Sequence, residues 1–247
     1  MARRGLDSLR ALLPPLSGSD DLWPQRAPEP SPDDFSLDTA ALLERLNRVE
    51  AVLTRERREL PDLLAEILRA LPETWRPAIA ADPRFHSFCL SEALVLRSES
   101  VGEGNPATAG ELAALALEIA GHLDPVRHAP ALVEDLKARA WAALGESRRR
   151  SGDAAGAERA LREGVQHLLL GTGDLLVEAR LLEFEADLRF DEGYPTEADS
   201  LLRQAASRLR QARETHLLAR LNAKRRDIAE RMPADHPFFR IIPRSRF

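Results

Sequence analysis

Two stretches in the second half of the chain carry nearly the same pattern, and this recurrence limits the fold more than any other feature. The first runs Trp141, Leu144-Gly145, Gly152-Asp153, then Ala157, Leu161 and Gly164. The second runs Gly193-Tyr194, then Ala198, Leu202 and Ala205. The glycine anchors stand 193 − 152 = 41 residues apart. A period of roughly 20–50 residues marks a stacked-repeat architecture, in which one unit cannot bury its apolar face alone.

The residues within each unit show how it folds. Small side chains at Gly145, Ala157, Ala160 and Gly164 let two helix backbones approach, with Leu144 and Leu161 filling the seam. Gly152 suits the left-handed position just past a helix end, and Asp153 suits the cap of the next helix. Alanine, leucine, arginine and glutamate dominate the chain, and such residues lose little on joining a helix. β-branched residues are scarce and no stretch sustains a period of two, so no sheet is expected.

The pattern resembles the tetratricopeptide repeat (TPR). Trp141, Leu144, Gly145, Ala157, Leu161 and Gly164 match its signature in the first unit, and Ala186, Ala198, Leu202 and Ala205 match it in the second. Arg148 and Arg189 stand where the family has an aromatic, and the period is 41 where the family has 34. The resemblance covers residues 84–231. It implies an all-α fold, a right-handed superhelical stack of antiparallel helix hairpins, here preceded by a helical N-terminal cap. It is similar to bacterial TPR-like proteins that accompany regulatory systems, and heavy arginine and alanine use fits a GC-rich bacterial genome.

Organisation follows from local signals. Residues 1–36 hold Pro14, Pro15, Pro24, Pro28, Pro30 and Pro32, and read as a disordered leader, or as a docking motif built on Leu6, Leu9, Leu12, Leu13, Leu16 and Trp23. Residues 37–83 read as the helical cap. There Asp38 starts a helix ending near Arg57, Pro61 opens a second that Pro72 closes, and Trp75 and Ile79 anchor a short third. Residues 84–231 form the hairpins, with helices expected near 85–98, 108–122, 130–150, 154–169, 174–191, 195–212 and 215–231. Residues 232–247 form a tail whose Phe238-Phe239-Arg240-Ile241-Ile242 is apolar enough to pack on the last helix.

In a repeat of this kind the first helix of each hairpin lines a groove. Sliding the register by 41 and then 40 residues aligns Arg139, Arg180 and Arg220, and likewise Glu146, Asp187 and Asp227. Each arginine precedes its acid by seven residues, so both lie on one helix face. Arg149, Glu183, Phe184 and Lys224 fall beside them. One reading is a groove that grips carboxylates or phosphates of a protein or peptide partner through guanidinium forks. The other is an ion-pair ladder between repeats, worth only ~0–1 kcal/mol per exposed pair.

Composition narrows the remaining classes. The net charge of −5 gives no bulk attraction to nucleic acid or anionic membrane, so nucleic acid is not the expected partner. A basic C-terminal end, Lys224-Arg225-Arg226 with Arg240, Arg244 and Arg246, is the one local exception. Arg148-Arg149-Arg150 complements a helix C-terminus. The single cysteine, Cys89, permits no intramolecular disulfide and no thiolate metal cage. His86 with Cys89 and His122 with His128 are the nearest approach to a nucleophile or a metal site, and both read as structural. No catalytic residue, metal or cofactor is expected, nor a membrane span, and the default location is cytoplasmic. The expected function is a non-catalytic binding scaffold, possible regulatory use included; the alternatives are a structural subunit of a larger assembly and a nucleic-acid-linked regulator. No residue pattern sets the oligomeric state.

Overall fold

The computed structural model describes residues 39–70 and 72–231. The leader and the apolar tail read from the sequence therefore lie outside the described residues. Those described are all-helical, with no strand among them.

Helix α1 spans Thr39–Arg69, α2 Pro72–Ala81, and a single 3-10 turn Pro83–Phe85 leads into α3, Phe88–Val101. Helices α4 (Pro106–His122), α5 (Pro125–His128), α6 (Pro130–Arg150), α7 (Ala154–Leu170), α8 (Leu175–Asp191), α9 (Pro195–Gln211) and α10 (Thr215–Arg231) follow. Neighbours pair as α3 with α4, α6 with α7 and α8 with α9. The first helix of a pair also lies against both helices of the pair before it: α6 against α3 and α4, α8 against α6 and α7. Helix α10 packs on α9.

The turns form for the reasons the sequence gives. Gly152 has φ +81° and Gly193 has φ +85°. After each, a backbone N–H reaches five residues back: Asp153 to Arg148 O at 2.9 Å and Tyr194 to Arg189 O at 2.8 Å. This is the left-handed closure of a helix end. The Asp153 carboxylate then accepts from the Gly156 N–H at 2.8 Å, capping α7. A third turn repeats the geometry without glycine: Arg213 has φ +60° and Glu214 N–H reaches Leu209 O at 2.9 Å.

Two expected boundaries are corrected. The helix expected near 85–98 runs Phe88–Val101, and Phe85 sits in the 3-10 turn before it. The chain does not break before Pro61; α1 runs through it. Apolar positions at 42, 46, 49, 53, 60, 63 and 67, with Glu56 between, keep an unbroken four-three spacing across the proline. Breaking the helix would put Leu63 and Ile67 out of phase with Leu53 and Leu60. Both are buried, beside Trp75, whose indole N–H donates to Ile67 O at 2.7 Å. Pro61 sits on the exposed side, where losing one backbone hydrogen bond is tolerated because water reaches the freed carbonyl. Farther back, buried Glu56 accepts from Ser87 Oγ (2.9 Å), from the Cys89 N–H (3.1 Å) and from His128 Nε2 (2.6 Å). That knot ties α1 to the start of α3 and to α5.

Two apolar clusters share α6. Val133, Leu136, Ala140, Ala143 and Leu144 belong to a core with α1 through α4. Ala138 and Ala142 belong to a second core with α7 through α10. Between them Gly145 meets the ring of fully buried Phe184 and the Ala160 methyl so closely that an added Cβ would overlap the ring. Interiors are close-packed, so a single methyl there has nowhere to go. Gly145→Ala would gain about 1 kcal/mol of helix propensity against a strain of roughly 1–3 kcal/mol. We expect net destabilisation by urea unfolding, with Gly152→Ala losing stability for the different reason of backbone strain. A Gly145→Ala protein more stable than the parent would contradict the close approach.

Candidate functional site

Most of the residues singled out from the sequence lie on or under one face, built by α3, α6, α8 and α10. Arg139 of α6 donates to Glu92 of α3 at 2.8 Å. Arg180 of α8 reaches Glu99 of α3 at 3.3 Å and Glu183 of its own helix at 3.5 Å. Arg149 of α6 donates through Nε and Nη2 to Glu146, both at 2.9 Å, and through Nη1 to Asp191 of α8 at 2.5 Å. Arg150 adds a 2.6 Å contact to Glu146. From α10, Lys224 donates to Glu183 (3.1 Å) and Asp187 (2.5 Å), and Arg220 to Glu183 (3.3 Å). The face is thus a shared lattice, in which the six cations Arg139, Arg149, Arg150, Arg180, Arg220 and Lys224 are equalled in number by the six acids Glu92, Glu99, Glu146, Glu183, Asp187 and Asp191.

Burial and charge compete at each acid. Burial opposes the charge on Glu146, but the guanidiniums of Arg149 and Arg150 outweigh it and hold the carboxyl down at about 2. Glu183 is likewise held below its ordinary range, burial being outweighed by Arg180, Lys224 and Arg220. Asp187 goes the other way: burial wins over Lys224 and raises it.

The structure brings most of the expected residues together, with different rungs. Arg139, Arg180 and Arg220 do not meet the acids aligned with them. Asp227 is exposed and makes no ion pair with the described residues. Phe184 does not line the face at all; it is fully buried beneath Gly145. Glu92 and Glu99 were missed, although one more slide of the register finds them: 139 − 92 = 47 and 146 − 99 = 47. Asp191 carried no such signal.

The candidate reactive groups have structural partners. The Cys89 thiol faces Leu53 O at 3.7 Å and burial pushes it up to about 11, so it is not a ready thiolate. His86 contacts Ile79 O through Nε2 at 2.9 Å and stacks on His122 with ring centroids 4.7 Å apart. His128 is held by Glu56, away from His122. No group of His, Cys, Asp and Glu suited to a metal is present among the described residues. Within the basic run, Arg148 donates to Gly156 O at 3.1 Å while Arg149 and Arg150 serve Glu146. Arg225 is bound to Asp199 at 2.8 Å. No described helix is long and apolar enough to cross a membrane.

One buried acid lacks a partner. Glu185 is nearly covered, and its Oε2 has no hydrogen bond. Burial, with Glu158 and Glu197 nearby and Arg189 opposing, pushes its carboxyl up to about 7. Comparison with family models, with curated proteins and with solved structures finds no match.

Two expectations follow from these charges. Arg180→Glu would set a new acid among Glu99, Glu146, Glu183 and Asp187 and cost roughly 1–3 kcal/mol, between the scale of an exposed pair and that of a buried one; an unchanged thermal melt would refute the lattice. For Glu185 the folded chain keeps a proton that the unfolded chain releases near 4.5, so stability falls as pH rises from about 4.5 to about 7. Glu185→Gln then stabilises by roughly 1–3 kcal/mol at pH 8 and by little at pH 4.5. Equal gains at both pH values in urea titrations would contradict this.

Proposed function

We propose that the chain is a non-catalytic scaffold, TPR-like in architecture, that binds a protein or peptide along the α3–α6–α8–α10 face. The observation that carries the reading is the Arg180–Glu99 contact. Helices α8 and α3 flank α6, yet their side chains meet across it. Side chains two layers apart meet most readily where the layers tilt toward one another, on the inner side of a curve. That supports a curved stack of hairpins with this face as its groove; the right hand of the superhelix rests on the TPR resemblance alone.

The chemistry of the face favours a peptide over nucleic acid. Its paired cations and acids balance, so it offers no net positive field for a polyanion. It presents instead ion pairs that are loosely exchangeable at their exposed ends: Arg220 is 58% exposed and Asp191 49%. A segment carrying both signs can displace the weaker rungs at small net cost, because exposed pairs are worth only ~0–1 kcal/mol. Buried Glu146 and Glu183 stay paired and keep the frame fixed.

Affinity capture with the full chain from extracts of its source organism tests the reading. Arg139→Ala with Arg220→Ala removes two of the more exposed cations, leaving Arg149 and Arg180 in place, and the melting temperature is expected to move little. The expected result is at least a ten-fold weaker hold on captured protein. Retention unchanged in the variant would remove this face as the binding surface.

A further inference from the structure

The first turns of α1 leave large apolar side chains uncovered. Leu42, Leu43 and Leu46 are 43%, 54% and 56% exposed, whereas Val49, one step further along the same stripe, is buried. The stripe keeps the four-three spacing of its buried continuation at Leu63 and Ile67. It therefore reads as one seam of which only the later part meets the body. Such a seam is shaped for another helix with the same period.

The sequence ahead of α1 carries a matching period. Leu6, Leu9, Leu13 and Leu16 repeat at three-four-three, interrupted only by Pro14-Pro15. We propose that this N-terminal segment folds back antiparallel on the start of α1, setting Leu13 by Leu42 and Leu9 by Leu46, with Leu6 at the edge of the part that the body already covers. In that register Arg3 falls opposite Glu50, a favourable charge pair at the flank of the seam. The inference is independent of the groove reading.

Magnitudes decide between this occupant and a second copy of the chain. Three half-exposed leucines leave on the order of 300 Å² uncovered, short of the roughly 800 Å² per partner of a stable interface. A tethered segment needs less, because docking is then intramolecular, at an effective concentration on the order of millimolar. The intervening residues 17–38 reach up to roughly 70 Å when extended, while Thr39 to Leu46 spans only about 10 Å of helix. The linker closes without strain.

The test is a cysteine pair in the full chain, Leu9→Cys with Leu46→Cys. Native Cys89 is buried and, with its thiol at about 11, does not compete. Under mild oxidation at micromolar concentration the expected product is an intramolecular disulfide, read as a monomer of altered mobility on a non-reducing gel. Asp7→Cys with Leu46→Cys, placed off the seam, is expected to close at least ten-fold more slowly. Hydrogen exchange at residues 41–48 in the uncrosslinked Leu9→Asp chain is expected to quicken at least ten-fold over the parent. A disulfide-linked dimer through Leu46→Cys would assign the stripe to a second copy and overturn the proposal. No closure, equal closure by both pairs, or exchange unchanged in Leu9→Asp would overturn it too.

Discussion

The close approach of α6 to α7 and α8 is the contact on which the rest depends. Gly145 is the notch: with no side chain it admits the Phe184 ring and the Ala160 methyl in the same place. Ala138 and Ala142, two successive turns of α6, present an equally smooth surface to the second core. Small residues make a close seam possible, but they bring little apolar area of their own. The area comes from Leu161, Leu181, Leu182 and Leu202, which reach fully covered positions because the backbones are near. Helix α6 thereby serves two cores at once, while the buried apolar side chains of α8 all belong to the second.

That tight seam has an electrostatic consequence. A helix covered on nearly every side must also cover whatever charges its sequence carries. Helix α8 carries Glu183, Glu185 and Asp187 within five residues, and all are buried. Burying a carboxylate is costly unless a cation and hydrogen bonds meet it. Glu183 and Asp187 are met by cations from α8 itself and from α10, and Glu146 by the end of its own helix. Glu185 faces away from those cations and responds by holding its proton. The lattice is thus first a solution to the packing of α6 and α8, and a recognition surface only where its outer atoms remain exposed.

The hairpins were legible because their signals are local. Gly152, Asp153 and Gly193 sit where helix ends need them, and the six helices expected from residue 106 onward have limits within two residues of expectation, although the short helix Pro125–His128 was not expected. Pro61 misled because a proline is a local signal too, and the longer-range phase of Leu53, Leu60, Leu63 and Ile67 outweighed it. On the charged face the residue set was readable from the register, but the partners were not. Spacing along a helix shows which side a residue faces; it does not show how far the neighbouring helix is shifted. Arg180 therefore meets Glu99 two layers away rather than the acid aligned with its own row. Phe184 was misplaced for a related reason: a helix buried all round has no side that periodicity can mark as outer.

The central claim is that the first helices lock together through charges that reach across α6. A double-mutant cycle on Glu99 and Arg180, each changed to alanine alone and together, measures that reach directly by urea unfolding. Residues in contact couple by about 0.5–3 kcal/mol, whereas independent sites add to within ~0.3–0.5 kcal/mol. The account predicts a favourable coupling of at least about 0.5 kcal/mol, reduced in high salt because both side chains are partly exposed. Strict additivity of the two substitutions would contradict it.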